Sequence, residues 1–274
     1  MSEDGAMPVT APHVDEPRTF DHQDFDAGGL VAAKSGRTIA VCIPARNEAA
    51  TIGPIVQAIV TTLTAEGGGA PLVDEVVVID DGSTDGTGDI AAGAGARVIG
   101  GETSSGGKGQ AMGVALRETD GDLLAFIDGD VTNFGPHFVT GLLGPLLTDG
   151  ATTLVKGFYH RPLNGADDGG GRVTELMARP VIDVLFPALA DIRQPLAGET
   201  AGPRWVFEKF TLAAGYAVEL ALLIDVASHL GVETIAQVDL GVRVHRNRPL
   251  SELRPQATDI LAAALARSPL LDGG

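Results

Sequence analysis

The sequence predicts an α/β fold built on a mostly parallel sheet. Between residues 38 and 127, short apolar runs of strand length alternate with longer segments of helical periodicity, an alternation typical of βαβ units. Polar clusters rich in Asp, Gly and Ser follow the apolar runs, as expected where parallel strands end at a ligand crevice. With 274 residues and 44% hydrophobic composition, the chain is long and apolar enough to bury one large core.

The first half of the chain supplies most of the predicted sheet. Strands are expected at 38–43, 75–79, 97–99 and 123–127, with helices at 51–64, from about 85 to 94, and at 109–117. Right-handed crossovers between these strands bring their carboxyl ends, and the polar clusters that follow them, to one edge.

The second half is less regular. Strands are expected at 153–159 and 236–244, a glycine-rich loop at 169–172, and helices at 173–185, 215–230 and 250–266. Residues 1–28 show no sustained periodicity and predict a flexible tail, which packing on the body could order late. The remainder is interpreted as one domain in two halves, 29–150 and 151–274.

The charge of the chain restricts its partners. A formal net charge of −17 opposes binding to nucleic acid or to an anionic membrane surface. A phosphate-bearing ligand must therefore be held by local binding groups, such as a metal ion, a few arginines or backbone amides.

The single cysteine and the hydropathy pattern indicate a cytoplasmic protein. Cys42 lies in an apolar run, so no disulfide can form within the chain and a buried, inert thiol is expected. No apolar stretch reaches the roughly 18 residues that a membrane-spanning helix needs. The N-terminus carries no basic-plus-apolar targeting signal.

The sharpest motif is Asp128-Gly129-Asp130, which closes the apolar run 123–127. Both carboxylates point the same way, which is costly unless a positive charge lies between them. A hard divalent cation carrying a diphosphate is the usual occupant. This is the DxD arrangement of nucleotide-sugar-dependent glycosyltransferases, although an isolated Asp-x-Asp could equally be a solvated turn.

Two further clusters suit a nucleotide. The segment 44–48 ends the first strand with a carboxylate and backbone amides that could face ribose and base, or form only a loop and helix cap. The segment 80–85 offers acceptors for a nucleobase ring N–H. Capping explains Ser83 and Thr84 there, but not Asp80 and Asp81.

Two cationic or metal-binding candidates come later. Lys108 lies between glycines just before a helix, without the spacing of a P-loop. Its ammonium could contact a diphosphate or a base carbonyl, or it could simply be solvated. His245 ends the last alternating strand, and a neutral imidazole could complete a cation site begun by Asp130, with Arg246 and Arg248 near phosphate. The alternative for His245 is a structural role.

Together these clusters resemble the glucosyl-3-phosphoglycerate synthases of actinobacteria, retaining glycosyltransferases with a GT-A fold. The likeness extends from about residue 30 to about residue 267. Its pieces are 32–38, 44–48, 80–85, 107–109, 128–130, 169–176, 194–199, 215–219 and 236–249. The resemblance implies a Rossmann-like nucleotide-binding half, 29–150, and a smaller acceptor lobe in 151–274 that completes the metal site.

The resemblance also implies roles for individual residues. Catalytic roles fall on Asp130, Arg172 and Glu219, and Asp130 and His245 are the implied ligands of Mg²⁺ or Mn²⁺. The implied acceptor loop contains Gly171, Arg172 and Thr174. The implied nucleotide-sugar site comprises Pro44, Ala45, Arg46, Glu48, Asp81, Lys108, Asp128, Gly129 and Tyr216, and Glu219 lines the sugar pocket beside Tyr216.

The implied reaction transfers glucose from UDP-glucose to 3-phosphoglycerate. A homodimer through the C-terminal half is expected, because 220–223 and 261–271 are more apolar than an isolated lobe requires, although core burial explains them equally well. An inverting reaction would need a carboxylate base behind the acceptor, for which Glu199 is the candidate, but the resemblance favours retention.

Two departures from the family leave the substrates open. Asp81 stands where close relatives often have Ser, and a carboxylate could accept from uracil or from guanine. The stretch 200–205, with Pro203-Arg204-Trp205, differs from the family and is expected beside the donor and acceptor. The alternatives are therefore a glycosyltransferase of specialised metabolism, using a GDP-sugar and a carboxylate-bearing acceptor such as a thiol, and a non-catalytic nucleotide-binding protein.

Overall fold

A computed structural model describes residues 16–100, 107–161, 171–244 and 250–268. Its strands form one mixed eight-stranded sheet in the order β1-β8-β6-β7-β5-β2-β3-β4. The strands are β1 Arg18–Asp21, β2 Ile39–Ala45, β3 Glu75–Asp80, β4 Arg97–Gly100, β5 Leu123–Phe126, β6 Leu154–His160, β7 Thr200–Pro203 and β8 Ile235–Val242. Strand β7 is antiparallel to β5 and β6, and the other neighbours are parallel.

Helices cover both faces of this sheet. They are α1 Ala27–Ala33, α2 Ile52–Leu63, α3 Thr87–Gly93, α4 Gly107–Glu118, α5 His137–Thr148, α6 Arg179–Leu185, α7 Arg204–Lys209, α8 Val218–Leu230 and α9 Leu250–Leu265, and a π-helical turn Thr174–Ala178 leads into α6. Apart from that turn, the predicted helices and strands occur within a few residues of their expected bounds.

The core lies in two layers, one on each face of the sheet. Along β2, Val41 and Ile43 pack into one layer with α2, whereas Ala40 and Cys42 face the other layer with α8. This two-sided burial explains why the strands read as continuous apolar runs. Burial raises the pKa of the Cys42 thiol to about 12, which confirms the prediction of an inert thiol.

From Arg18 onward the predicted tail is not flexible, because it is ordered by packing on the body of the domain. Strand β1 pairs in parallel with β8, and Arg18 lies opposite Ala236 across the ladder. Because β1 is a four-residue edge strand that is only half-buried, its pattern is too short to be visible in the sequence. Residues 1–15 of the predicted tail lie outside the described residues.

The expected position of Pro203-Arg204-Trp205 beside the substrates is also wrong. Because β7 runs antiparallel to β5, Pro203 pairs with Leu123, at the opposite end of β5 from Asp128. There the Arg204 guanidinium donates to the backbone oxygens of Leu116 (2.7 Å) and Gly121 (2.9 Å), which close the end of α4. Arg204 therefore has a structural role at the end of α4.

The apolar segment 220–223 is core, so the expectation that it forms a dimer interface is wrong. Leu220 and Leu223 are fully buried against the sheet. On α9, by contrast, Leu261 and Leu265 are 37% and 41% exposed. Among the described residues, no helix combines the length and apolar character that crossing a bilayer requires.

Candidate active site

A cavity of about 450 Å³ opens at the carboxyl ends of β2, β3 and β5. This is the edge where the crevice of a parallel sheet is expected. The cavity is lined by every residue predicted to bind the nucleotide sugar, together with Asn47, Gly107, Ala111 and Asp130. The structure therefore brings together residues from five separate parts of the sequence.

The loop after β2 is fastened to the loop after β3. Asn47 adopts a left-handed backbone conformation with φ of 56°, and its side-chain oxygen accepts a hydrogen bond from the Thr84 amide at 2.9 Å. The Asn47 amide donates to Ser83 Oγ, also at 2.9 Å. Asp80 accepts from the Ser83 amide at 2.9 Å and so closes the turn. Asp80, unlike Asp81, is thus accounted for by the turn itself.

The Asp128 and Asp130 carboxylates share a cation in this structure, and that cation is Arg243. Its Nη2 lies 2.9 Å from Asp128 Oδ2 and 2.7 Å from Asp130 Oδ1. The Thr51 hydroxyl donates to the Gly129 carbonyl oxygen at 2.6 Å and holds the turn between the two carboxylates. Sequence reasoning anticipated a positive charge here but missed Arg243, which lies in the sequence just before the cluster at 245–248.

Lys108 is buried and not a solvated loop residue. Its Nζ lies 2.6 Å from Asp128 Oδ1 and 2.8 Å from Glu219 Oε1, and it donates to the Gly198 carbonyl oxygen at 2.9 Å. Burial alone would lower the Lys108 pKa, but the carboxylates of Asp128 and Glu219 raise it well above its usual value. Burial would likewise raise the Asp128 pKa, but Lys108 and Arg243 hold it well below its usual value.

Glu219 lies between two lysines. Besides its ion pair with Lys108, its Oε2 accepts from Lys156 Nζ at 2.6 Å, and Lys156 also donates to the Ala197 carbonyl oxygen. Only 4% of the Glu219 side chain is exposed. The two lysines fix the carboxylate in one orientation and supply the charge that its burial requires. Lys156 was not predicted, because it is an isolated lysine inside an apolar strand.

A second cavity, of about 200 Å³, adjoins the first and shares Asp128, Asp130 and Tyr216 with it. It contains the whole set of predicted catalytic and acceptor residues, namely Asp130, Gly171, Arg172, Thr174 and Glu219. Gly171 has a φ of 89°, which a side chain would strain, and its carbonyl oxygen accepts from the Glu175 amide at 2.9 Å.

The second cavity also has walls that the sequence did not reveal. Its lining also includes Tyr159 and Arg161 from the end of β6, and Leu253, Gln256 and Ile260 from α9. The Arg161 Nη2 donates to the Tyr159 hydroxyl at 2.8 Å and its guanidinium stacks on the tyrosine ring. These residues carry no local motif, since they reach the cavity only through the pairing of β6 with β8 and the packing of α9.

Glu199 does not fit the role of a base behind the acceptor. Its side chain is fully buried, lines neither cavity, and lies 3.2 Å from Arg243 Nη1. Burial raises the Glu199 pKa, and Arg243 opposes that shift. The structure therefore argues against the inverting alternative and assigns Glu199 to the support of Arg243.

His245 lies outside the described residues. Val244, the residue before it, is tied to the loop that follows Asp130. Its carbonyl oxygen accepts from the Thr132 amide at 3.1 Å, and its amide donates to Asn133 Oδ1 at 2.8 Å. Within the described ranges, no group of three His, Cys, Asp or Glu side chains could hold a metal ion.

Comparison with known proteins identifies the family. The profile of Glycosyl transferase family 2 matches residues 40–193. The glucosyl-3-phosphoglycerate synthase of Mycolicibacterium smegmatis is 46% identical over 266 residues, which cover 93% of this chain and 86% of the relative. The enzyme of the same name from Petrotoga mobilis is 40% identical, over 91% of this chain and 80% of the relative.

A crystal structure of the Mycobacterium tuberculosis glucosyl-3-phosphoglycerate synthase, in complex with Mn²⁺, UDP and glucosyl-3-phosphoglycerate, matches with a TM-score of 0.83. It is 43% identical and covers 92% of this chain and 88% of that chain. Another, with Mg²⁺ and UDP, also has a TM-score of 0.83, 43% identity, and coverage of 92% and 86%. The predicted GT-A fold and the predicted resemblance are both confirmed. The chain therefore belongs to Glycosyl transferase family 2 and, within it, to the glucosyl-3-phosphoglycerate synthase family of glycosyltransferase enzymes.

Proposed function

We propose that this chain transfers glucose from UDP-glucose to 3-phosphoglycerate with retention of configuration. The observation that carries the proposal is the junction of the two cavities at Asp128, Asp130 and Tyr216. A donor in the first cavity and an acceptor in the second would meet at these shared residues, and such juxtaposition is a major source of rate enhancement. The relatives crystallised with UDP, Mn²⁺ and glucosyl-3-phosphoglycerate support the choice of substrates.

Asp130, with His245, would hold the divalent cation. The fit rests on the donor chemistry: Asp130 is about a quarter exposed, and Arg243 contacts only its Oδ1, while no described side chain donates to Oδ2. A hard cation prefers such carboxylate oxygens. When bound, the cation would neutralise the charge of the departing diphosphate. The anchoring of Val244 to the loop that follows Asp130 supports His245 as the second ligand.

The residues around the sugar have separate tasks in this proposal. Tyr216 and Glu219 line the second cavity, and the two lysines orient the Glu219 carboxylate to accept hydrogen bonds from sugar hydroxyls. Gly171, Arg172 and Thr174 present backbone and side-chain donors for the anionic groups of the acceptor. Because Glu199 is buried away from both cavities, no base of the inverting kind faces the acceptor from that position.

The Arg172→Lys variant tests the acceptor assignment. A point charge cannot reproduce the bidentate contact of a guanidinium with a carboxylate or phosphate, so we expect the KM for 3-phosphoglycerate to rise about tenfold or more. The KM for UDP-glucose should change less than twofold. Steady-state kinetics with each substrate varied in turn give both values.

The matched control is Arg254→Lys, an exposed arginine on α9. It should leave both constants unchanged. If Arg172→Lys behaves like this control with 3-phosphoglycerate, Arg172 is not an acceptor ligand. Activity only on other carboxylate-bearing alcohols or thiols would instead favour the specialised-metabolism alternative.

A homodimer is also proposed, now through α9 and α6. Leu261 and Leu265 on α9, and Leu176 and Val184 near α6, are exposed apolar side chains. Light scattering at micromolar concentration should give twice the 28.1 kDa mass of one chain. Leu265→Glu should shift that mass toward the monomer, because it would bury a charge at the interface. A monomer mass for the unmodified chain contradicts the proposal.

The cytoplasm remains the predicted compartment, and no nucleic acid or membrane surface is expected as a partner. The buried free thiol of Cys42 and the net charge of −17 support these predictions.

A further inference from the structure

Asp81 directly follows β3, and none of the described residues donates a hydrogen bond to its carboxylate. Its amide donates to the Ala45 carbonyl oxygen at 2.9 Å, which fixes the residue beside the first cavity. Its side chain is 14% exposed, and its charged neighbour is Arg46, whose Nη1 lies 3.8 Å from Asp81 Oδ2. No hydrogen bond reaches either carboxylate oxygen from the described residues. A largely buried carboxylate without donors is costly, and a ligand donor would remove that cost.

The position of Asp81 within the cavity suits a nucleobase. Asp128 and Lys108 lie at the β5 side of the cavity, whereas Asp81 follows β3, and β2 runs between those strands. Two strand spacings separate the ends of β3 and β5, roughly 10 Å. A ribose spans that separation, so a diphosphate near Asp130 would direct the base toward Asp81.

We infer that the donor site accepts guanine as well as uracil, with Asp81 and Arg46 reading the base. The inference rests on the proposed nucleotide-sugar function of this cavity. Guanine presents N1–H and N2–H side by side, and the two oxygens of one carboxylate accept both. The Arg46 guanidinium, beside Asp81, then donates to guanine O6, a contact typical of arginine.

Uracil can use the same pair with fewer hydrogen bonds. It presents a single N3–H between two carbonyl oxygens, so one Asp81 oxygen accepts while Arg46 donates to a uracil carbonyl. Adenine and cytosine place an unprotonated ring nitrogen at the corresponding edge, which faces the carboxylate with a lone pair. The pair therefore admits guanine and uracil and disfavours the other two bases.

Calorimetric titration of the full chain with UDP, GDP, ADP and CDP, each with Mg²⁺, tests the inference. We expect the affinity for GDP to be no more than tenfold weaker than the affinity for UDP. ADP and CDP should each bind at least tenfold more weakly than GDP. Asp81→Asn is the decisive variant. The side-chain amide of this variant can accept from uracil N3–H and donate to uracil O4, so the affinity for UDP should hold or rise. With guanine, the N–H of the same amide faces one of the two base donors, so the affinity for GDP should fall about ten- to hundredfold.

Asp89→Asn, an exposed acid on α3, is the matched control and should change neither affinity. GDP binding a hundredfold or more weaker than UDP in the unmodified chain, or an equal loss of both nucleotides in Asp81→Asn, would overturn the inference and leave the proposed function standing. Failure of all four nucleotides to bind the unmodified chain would instead refute the proposed function.

Discussion

Replacing Asp130 with asparagine is expected to abolish the dependence of UDP binding on a divalent cation. The substitution keeps the shape of the side chain and its contact distance to Arg243, but removes the charge that a hard cation requires. A metal that neutralises a departing diphosphate contributes several kcal/mol, so turnover should fall more than a hundredfold. Calorimetric titration of UDP with Mg²⁺ and with EDTA measures the effect on binding, and initial rates measure turnover.

Two further variants test whether the loss of metal dependence is specific to the proposed metal ligands. His245→Ala should reproduce the loss of metal dependence if the imidazole is the second ligand. Asp120→Asn, an exposed acid before β5, should behave like the unmodified chain. Equal UDP affinity of the unmodified chain in Mg²⁺ and in EDTA would contradict the metal assignment for both residues.

The lining of the first cavity could be predicted because its signals are local. Asp128 follows an apolar run directly and Asp81 follows one after Asp80, and parallel strands bring such positions to one edge regardless of the order of the strands. Lys108 could be selected from a local signal too, since it lies between glycines at the start of a helix. What these residues contact could not be predicted: Lys108 contacts Glu219, which is far away in the sequence.

The rest of the site depends on pairings between distant segments. Arg243 contacts Asp128 across 115 positions, and the contact exists because β8 joins β6 in the second half of the sheet. The edge strand β1 was missed for the same reason, since its partner β8 is more than 200 positions away. The antiparallel direction of β7 also left no trace in its four residues, which is why Arg204 was expected near the substrates.

Replacing Arg243 with methionine is expected to lower the free energy of unfolding by about 3–5 kcal/mol, the usual cost of removing one partner from a buried ion pair. The guanidinium is 4% exposed and contacts Asp128, Asp130 and Glu199, so its loss leaves several acids in or beside the core without their shared cation. Turnover should also be lost, because Asp130 loses the contact that orients it. Urea unfolding monitored by circular dichroism measures the stability difference.

The pH dependence of the stability loss in Arg243→Met distinguishes unpaired charge from a simple loss of packing as its cause. Lys108 and Arg243 hold the Asp128 pKa below its unfolded value, so the stabilisation is present above that unfolded value and disappears as the pH falls through the folded pKa. Without Arg243 the Asp128 pKa rises, and the already raised pKa of Glu199 rises further, so protonation relieves the unpaired charges at higher pH. The stability gap between the variant and the unmodified chain should therefore be widest near neutral pH and narrow on acidification. Arg267→Met, which breaks an Arg–Asp pair at 2.8 Å that lines neither cavity, is the control and should leave nucleotide binding unchanged. A gap for Arg243→Met that does not vary with pH would mean that packing, and not charge, accounts for the loss.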